Sequence, residues 1–244
     1  MTIDINCDVG EGIQNEHLIM PFISSCNIAC GGHFGDKNTI LKTIELAIEY
    51  NVAIGAHPSF VDKKNFGRQF LDLSEAVLKQ SIEEQLDLFL SCLAIFNQKM
   101  HHIKPHGALY NLIAKDRCEA QKFIRIIKKY VKDCFLFVPY NSEIAKVALE
   151  NDIKIKYEAF ADRNYNTDLS LVSRNDENAL ILSSAEIVRH VLKILKSNKV
   201  KTVSGLEKKI KADTLCIHSD TENVIEIVSI LTTELKKRGI TIGA

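Results

Sequence analysis

The sequence predicts an α/β protein, specifically a seven-stranded (β/α) barrel of the TIM-like kind. Three observations carry that prediction. Short β-rich runs alternate with longer amphipathic stretches from one end of the chain to the other, and seven such runs can be delimited. Polar or ionisable residues follow nearly every run, at the strand C-termini where β/α proteins gather function. Closing the sheet brings these groups to one mouth, whereas an open doubly wound sheet spreads them along an edge and leaves some without a partner.

The strands expected are Ile3 to Cys7, Ile23 to Ala29, Val52 to Ala56, His101 to Lys104, Phe135 to Val138, Ile153 to Phe160 and Leu215 to Ile217. Between the second and third, Ile40, Leu41, Ile44, Ala47 and Ile48 recur at intervals of three and four, with Lys42, Glu45 and Glu49 on the other face, which is the pattern of an amphipathic helix. Ser74 is placed to cap a longer helix carrying Leu78, Ile82, Leu86, Phe89, Leu90 and Leu93. Helices are also expected over Ala120 to Lys132, Ser142 to Glu150, Ser184 to Lys196 and Glu222 to Lys237, with Ser142 and either Asp220 or Thr221 as caps. Lys63 to Asp72 reads as a loop, and Val200 to Ile210 as a small hairpin turning near Ser204 and Gly205. No internal repeat or linker interrupts the chain, so residues 1–244 are expected to form one barrel domain.

Composition excludes several function classes. The 244 residues are 46% hydrophobic and 25% charged, the proportions of a globular protein rather than a disordered one. Lys plus Arg (31) equals Asp plus Glu (31), so no basic field exists to hold nucleic acid or an anionic membrane. No apolar run reaches the roughly 18 residues that a membrane span needs, and MTIDINCDVGEG enters a strand directly, so a cytoplasmic location is expected. The seven cysteines are an odd number without a C-x-x-C pair and read as reduced, mostly buried thiols; Cys30, in a glycine-rich polar segment, is the one where an accessible thiolate is conceivable.

His33, His57, His106 and His218 each follow a strand beside Gly, Pro or Ser, and four equivalent placements point to one polar pocket. With Asp8, Asp36 and Asp220 nearby, they suit general acid/base work or, less well, a divalent metal, since H-E-x-x-H or a comparable local ligand pair is absent. Lys104, before Pro105, projects a cation from a strand end, and Arg68 and Arg163 offer planar forks for a carboxylate or phosphate. There is no P-loop string, and no G-x-S-x-G elbow to make Ser24, Ser25 or Ser59 a nucleophile.

Seven strings stand out in order: DINCDVGEG (Asp4 to Gly12), SSCNIACGGHFGD (Ser24 to Asp36), IGAHPSF (Ile54 to Phe60), FGR (Phe66 to Arg68), KPHGALYN (Lys104 to Asn111), EAFADRNY (Glu158 to Tyr165) and CIHSD (Cys216 to Asp220). Together they resemble the LamB/YcsF family. The resemblance implies a seven-stranded barrel similar to the glycoside hydrolase/deacetylase barrels. It also implies a part in 5-oxoprolinase: opening 5-oxoproline (pyroglutamate) to L-glutamate with two partner subunits, B and C, and with ATP as co-substrate together with Mg2+. By motif position the resemblance implies Asp8, His33, His57, Lys104, His106, Asp162, Arg163, His218 and Asp220 as pocket residues; from the chemistry of the side chains, Asp8, His57, Lys104 and His106 are expected to be catalytic, and Asn27, His33, Arg68, Asp162, Arg163, His218 and Asp220 to bind substrate. A metal, if bound, is expected on Asp8, His57 and His106.

The chemistry fits that inventory. An unactivated lactam is a poor electrophile until ATP phosphorylates its oxygen, after which the site needs cationic donors (Lys104, Arg163, Arg68) and a base for water (Asp8, His57 or His106). Two other classes are compatible with the residues: a stand-alone metal-dependent deacetylase or amidase, and a non-catalytic component that retains the lactam for its partners. The sequence departs from the family pattern at Gly32, where a bulky apolar residue is common, at Ser219, in place of a glycine, and at Asp168-Leu169, which lacks the glycine after the aspartate. Ser219 is expected to narrow the mouth and restrict the backbone.

Overall fold

The computed structural model describes residues 1–244. Its centre is a closed barrel of seven parallel strands: β1 (Thr2–Val9), β2 (Ser25–Ala29), β3 (Ala53–His57), β4 (His102–Ile103), β5 (Phe135–Pro139), β6 (Ile155–Phe160) and, after a hairpin of β7 (Lys199–Lys201) with β8 (Glu207–Lys209), β9 (Thr214–Ile217). Neighbours pair in that order, and β9 closes the ring on β1 through Asp4 opposite Thr214 to Cys7 opposite Ile217. A short β10 (Thr241–Ile242) adds to the start of β1 outside the ring. Every strand of the ring lies within three residues of its expected boundaries.

The helices pack outside: α1 (Glu16–Ile19), α2 (Lys37–Glu49), α3 (Glu75–Ile95), α4 (Gly107–Lys115), α5 (Arg117–Ile127), α6 (Glu143–Glu150), α7 (Ser184–Ser197) and α8 (Val224–Lys237). Their apolar stripes meet the outward residues of the strands in one core that includes Ile5, Ile28, Ile44, Phe89, Phe123, Val191 and Leu231. Ser74 and Ser142 cap α3 and α6 as expected, each hydroxyl accepting from a first-turn amide. Asp36, read above as a pocket acid, instead caps α2 by accepting from the Thr39 amide. The cap expected for α8 also differs: Asn223, in a left-handed conformation, precedes it without a side-chain cap bond, because Thr221 and Asp220 are engaged elsewhere. No helix is long and apolar enough to cross a membrane.

Strand alternation explains the unusual string TIDINCDV. Ile3, Ile5, Cys7 and Val9 belong to the core under the helices, while Asp4, Asn6 and Asp8 belong to a polar barrel interior. Buried polar groups are tolerable only when bonded, and these form a ladder. Asp4 accepts from the Ser24 and Ser25 hydroxyls at 2.6 and 2.8 Å, so neither serine is a free nucleophile. Asn6 donates to Glu158 Oε1 and Thr214 Oγ1, Asn27 donates to Asn6 and Asp8, and His102 lies 2.6 Å from Asn27 Oδ1.

Gly55 makes room for that imidazole: a Cβ there would stand 2.1 Å from His102 Nε2, and the ring stacks on Phe137 with centroids 3.8 Å apart, so it has nowhere to retreat. Gly55→Ala is therefore expected to cost about 1–3 kcal/mol by overpacking, read from denaturant unfolding; an unchanged midpoint would contradict the packing described.

Candidate active site

A cavity of about 520 Å³ opens at the C-terminal mouth of the barrel, within the usual range for small-molecule sites. Its floor and walls include Asp8, Glu11, His57, Lys104, His106, Tyr110, Phe160 and His218, and its rim Arg68, Arg163, Arg174 and Asp220. A depression of about 550 Å³ at the opposite end, lined by Ile23, Val52, Ile54 and the chain's C-terminus, has no acidic side chain or histidine and is not where the chemistry collects.

The floor is built on a buried cation between two carboxylates. Lys104 Nζ lies 2.8 Å from Asp8 Oδ1 and 3.1 Å from Glu158 Oε1, and it also reaches Cys216 Sγ at 3.0 Å. Burial works against the ammonium, but Asp8, Cys216 and Glu158 outweigh it and hold the Lys104 pKa well above its ordinary value. Burial likewise works against the Asp8 carboxylate, yet His57 and Lys104 hold it well below the usual range. At neutral pH this is a charged pair. The Asp8 carboxylate has its second oxygen 3.5 Å from His57 Nε2 and thus connects the cation to the histidines.

His57 and His106 sit edge to face, with Nε2 of the first 2.9 Å from Nδ1 of the second. His33 stacks flat on His106, ring centroids 3.8 Å apart, and contacts Glu11 Oε1 at 2.8 Å. Gly67, at φ +63°, lets the backbone pass over this stack, since a Cβ would stand 2.9 Å from His33 Cβ.

The expected site residues thus fall into two sets. Asp8, His57, Lys104, His106, Arg68, Arg163, His218 and Asp220 line the cavity. Asn27, His33 and Asp162 do not: each is buried beneath a lining residue and orients it. Asn27 donates to Asp8, His33 backs His106, and Asp162 accepts from the His218 ring and amide and from Thr221. Arg163 spends its guanidinium on the Val172 and Ala179 carbonyls, stapling the segment after β6 over the mouth rather than offering a free fork.

Of the residues expected for a metal, His57 and His106 gather with Glu11 and His33, while Asp8 gathers with Cys216 and His218 and keeps its second oxygen 3.5 Å from His57 Nε2.

Burial opposes the charge of Asp162, but His218 and Thr221 hold its carboxyl well below the ordinary range. A carboxylate with a depressed folded pKa contributes stability that is complete above the unfolded value near 3.9 and is lost as pH falls through the folded one. Asp162→Asn is expected to flatten the acid limb of the stability–pH curve below about pH 4; an acid limb as steep as wild type would contradict this.

Several lining or supporting residues lie outside the set expected from sequence. Glu158, mid-strand in β6, is the second anion on Lys104; Arg174 joins Arg68 on Asp220, at 3.0 and 2.8 Å. Tyr110 comes from α4, a helix that follows β4 with almost no intervening loop, and its hydroxyl is buried without a hydrogen-bond partner. Cys30 is enclosed, and burial pushes its thiol up to about 12, so it is a packing group.

The departures from the family pattern have structural readings. Gly32 is closed off by Gln85, whose Oε1 would lie 2.4 Å from a Cβ. Leu169 adopts φ +67°, a left-handed conformation that glycine enters without strain. Ser219 is buried outside the cavity lining and has no positive φ, so it neither narrows the mouth nor strains the backbone.

Fold and mouth together define a TIM-like (β/α)7 barrel with a charged cavity at the C-terminal ends of its strands. The chain belongs to the LamB/YcsF family, whose profile matches residues 3–244. It is similar to the A subunit of 5-oxoprolinase from Oceanobacillus iheyensis, 40% identical over 245 residues that cover 98% of this chain and 95% of that one. It is similar also to the corresponding A subunit from Acinetobacter baumannii, at 39% over 99% of this chain and 97% of that one. Among solved structures, the lactam utilization protein from Thermus thermophilus superposes with a TM-score of 0.92 and 31% identity over the whole of both chains.

Proposed function

We propose that this chain is the A component of an ATP-dependent 5-oxoprolinase and that its barrel mouth holds the lactam while the ring is opened. The observation that carries the reading is near-full-length similarity to relatives named as the A subunit of 5-oxoprolinase, in a chain whose mouth combines a buried cation, a carboxylate held ionised and paired imidazoles. The B and C partner subunits belong to the proposal, as does ATP with Mg2+ as the activating co-substrate.

Phosphorylation of the lactam oxygen by ATP gives a cyclic imidate phosphate and ADP. Water adds to the ring carbon, giving up a proton to the Asp8/His57 end of the floor. The ring nitrogen, protonated from the histidine side, leaves as the amine, so the C–N bond breaks and an acyl phosphate remains. A second water hydrolyses that to L-glutamate and inorganic phosphate. Lys104 faces the phosphorylated oxygen as a fixed positive charge, and the unpartnered Tyr110 hydroxyl is a second donor on the same wall.

At the rim, two guanidinium groups share the single carboxylate of Asp220, leaving cationic capacity for the substrate's own carboxylate. Arg174→Ala is expected to raise KM for 5-oxoproline about tenfold to a hundredfold, the loss of one charge-assisted contact, with kcat changed less. A kcat loss at constant KM would contradict a substrate-binding role.

The reading is tested by assaying glutamate formation from 5-oxoproline with this chain and its candidate partners, omitting each component in turn. Release that requires ATP and this chain is expected; release at an undiminished rate without this chain would overturn it.

A further inference from the structure

A second chamber, of about 90 Å³, adjoins the mouth between β5, β6 and α4 and shares Tyr110, Phe160 and Leu171 with it. Two groups on its wall are buried polar atoms without a hydrogen-bond partner, Glu158 Oε2 and the Tyr110 hydroxyl. The other oxygen of Glu158 is engaged, accepting from Asn6 Nδ2 at 3.0 Å and facing Lys104 Nζ at 3.1 Å. Lys104 is thus one cation between two carboxylates. The second oxygen of Asp8 has His57 beside it, whereas that of Glu158 has no partner. Burial and the neighbouring Glu158 charge push the Tyr110 phenol well above its ordinary pKa, so the hydroxyl keeps its hydrogen and presents lone pairs as well. Lys115 and Asp168, the other charged groups on the wall, are exposed, and the Lys115 charge acts on Asp168. A buried carboxylate oxygen without a donor is unfavourable, and the group that satisfies this one carries hydrogens and a positive charge.

The ring opening proposed above produces such a group. Once the C–N bond breaks, the substrate carries a free amine and an acyl phosphate on one short chain. The amine nitrogen can then attack the acyl carbon. The C–O bond to phosphate breaks, inorganic phosphate leaves, the nitrogen loses one proton, and the lactam re-forms with the ATP consumed. Well-oriented intramolecular attack is fast, with effective molarities of ~10⁵ M or more. Protonation blocks it, because an ammonium has no lone pair.

We propose that this chamber is an ammonium subsite, in which Glu158 Oε2 and the Tyr110 oxygen accept hydrogen bonds from the amine freed by ring opening and keep it from closing the ring again. The inference rests on the lactam-opening reading. The adjacent carboxylate favours the charged form of the amine. Tyr110 serves both ends of the opened substrate, its hydrogen toward the oxygen that carried the phosphate and a lone pair toward the ammonium.

The test follows oxygen and ATP in the assembled complex. In H2¹⁸O the first water places its oxygen on the acyl carbon, so lactam re-formed after ring opening carries ¹⁸O. Wild type is expected to consume one ATP per glutamate and to return unlabelled 5-oxoproline. Glu158→Gln is expected to consume about twice as much ATP per glutamate or more and to return labelled 5-oxoproline. Tyr110→Phe, which keeps the ring in place, is expected to shift both readouts in the same direction. Product binding gives a readout that needs no turnover. By calorimetry L-glutamate is expected to bind the wild-type complex about tenfold or more tightly than glutarate, which lacks the amine, and Glu158→Gln to bind the two about equally. An unlabelled pool and an unchanged ATP ratio in an active Glu158→Gln complex, or equal binding of L-glutamate and glutarate by wild type, would overturn the subsite while the lactam reading stands. Wild type that forms no glutamate from ATP and 5-oxoproline would overturn that reading and the subsite with it.

Discussion

Replacing Lys104 with methionine is expected to remove at least a hundredfold to a thousandfold of ATP-dependent glutamate formation, and about 3–5 kcal/mol of stability with it. Methionine keeps the length of the side chain, so packing is largely conserved. What is lost is the ammonium between Asp8 and Glu158, both buried, and two carboxylates then face each other across the floor without a cation. The two effects separate in a second variant. Lys104→Met with Glu158→Gln removes one of the stranded anions and is expected to return part of the stability but none of the turnover. Denaturant unfolding and glutamate release measured on both variants check this; recovery of turnover in the double variant would show that Lys104 acts only as a structural counter-ion.

Asp8→Asn is expected to lower glutamate formation by about 10²- to 10⁴-fold, the range for loss of a positioned base. The amide is isosteric, and its oxygen can still accept from Asn27 and Lys104, which approach Oδ1 at 2.7 and 2.8 Å. The face toward His57, through Oδ2 at 3.5 Å, loses its charge. Assembly with the partner subunits, followed by co-purification, should be unaffected because Asp8 is buried in the mouth. Wild-type turnover in an assembled Asp8→Asn complex would rule out Asp8 as the base.

Much of the barrel is legible in the chain because its signal is local. Each ring strand falls in a short β-rich run, and the long helices α2, α3, α7 and α8 repeat at three and four. Elements without a local signal escape such a reading. The single turn of α1 is too short for periodicity, and α4 begins at Gly107 directly after the residues Lys104, Pro105 and His106, where glycine reads as a turn. β10 is two residues whose pairing exists only because β1 extends past the ring.

The site follows the same division. Asp8, His57, Lys104, His106 and His218 lie at or just after strand ends, and strand ends are predictable. Which acid reaches which base is decided by closure of the ring, which brings Glu158 to Lys104 and Asp162 to His218 across 54 and 56 positions of chain. Glu11 lies only three residues after Asp8, yet the backbone turn at Gly10, φ +72°, aims it at the histidines while Asp8 points to Lys104. Arg174, in an irregular loop, has no sequence feature that separates it from a surface arginine; only the fold places it beside Arg68 on Asp220.

The most direct measurement is a crystal structure of the assembled complex with 5-oxoproline bound under non-turnover conditions. The ring is expected in the mouth of this chain, its amide carbonyl within hydrogen-bond reach of Lys104 or Tyr110 and its carboxylate toward Arg68 and Arg174. Full occupancy of the lactam in one of the partners, with this mouth empty, would contradict the account.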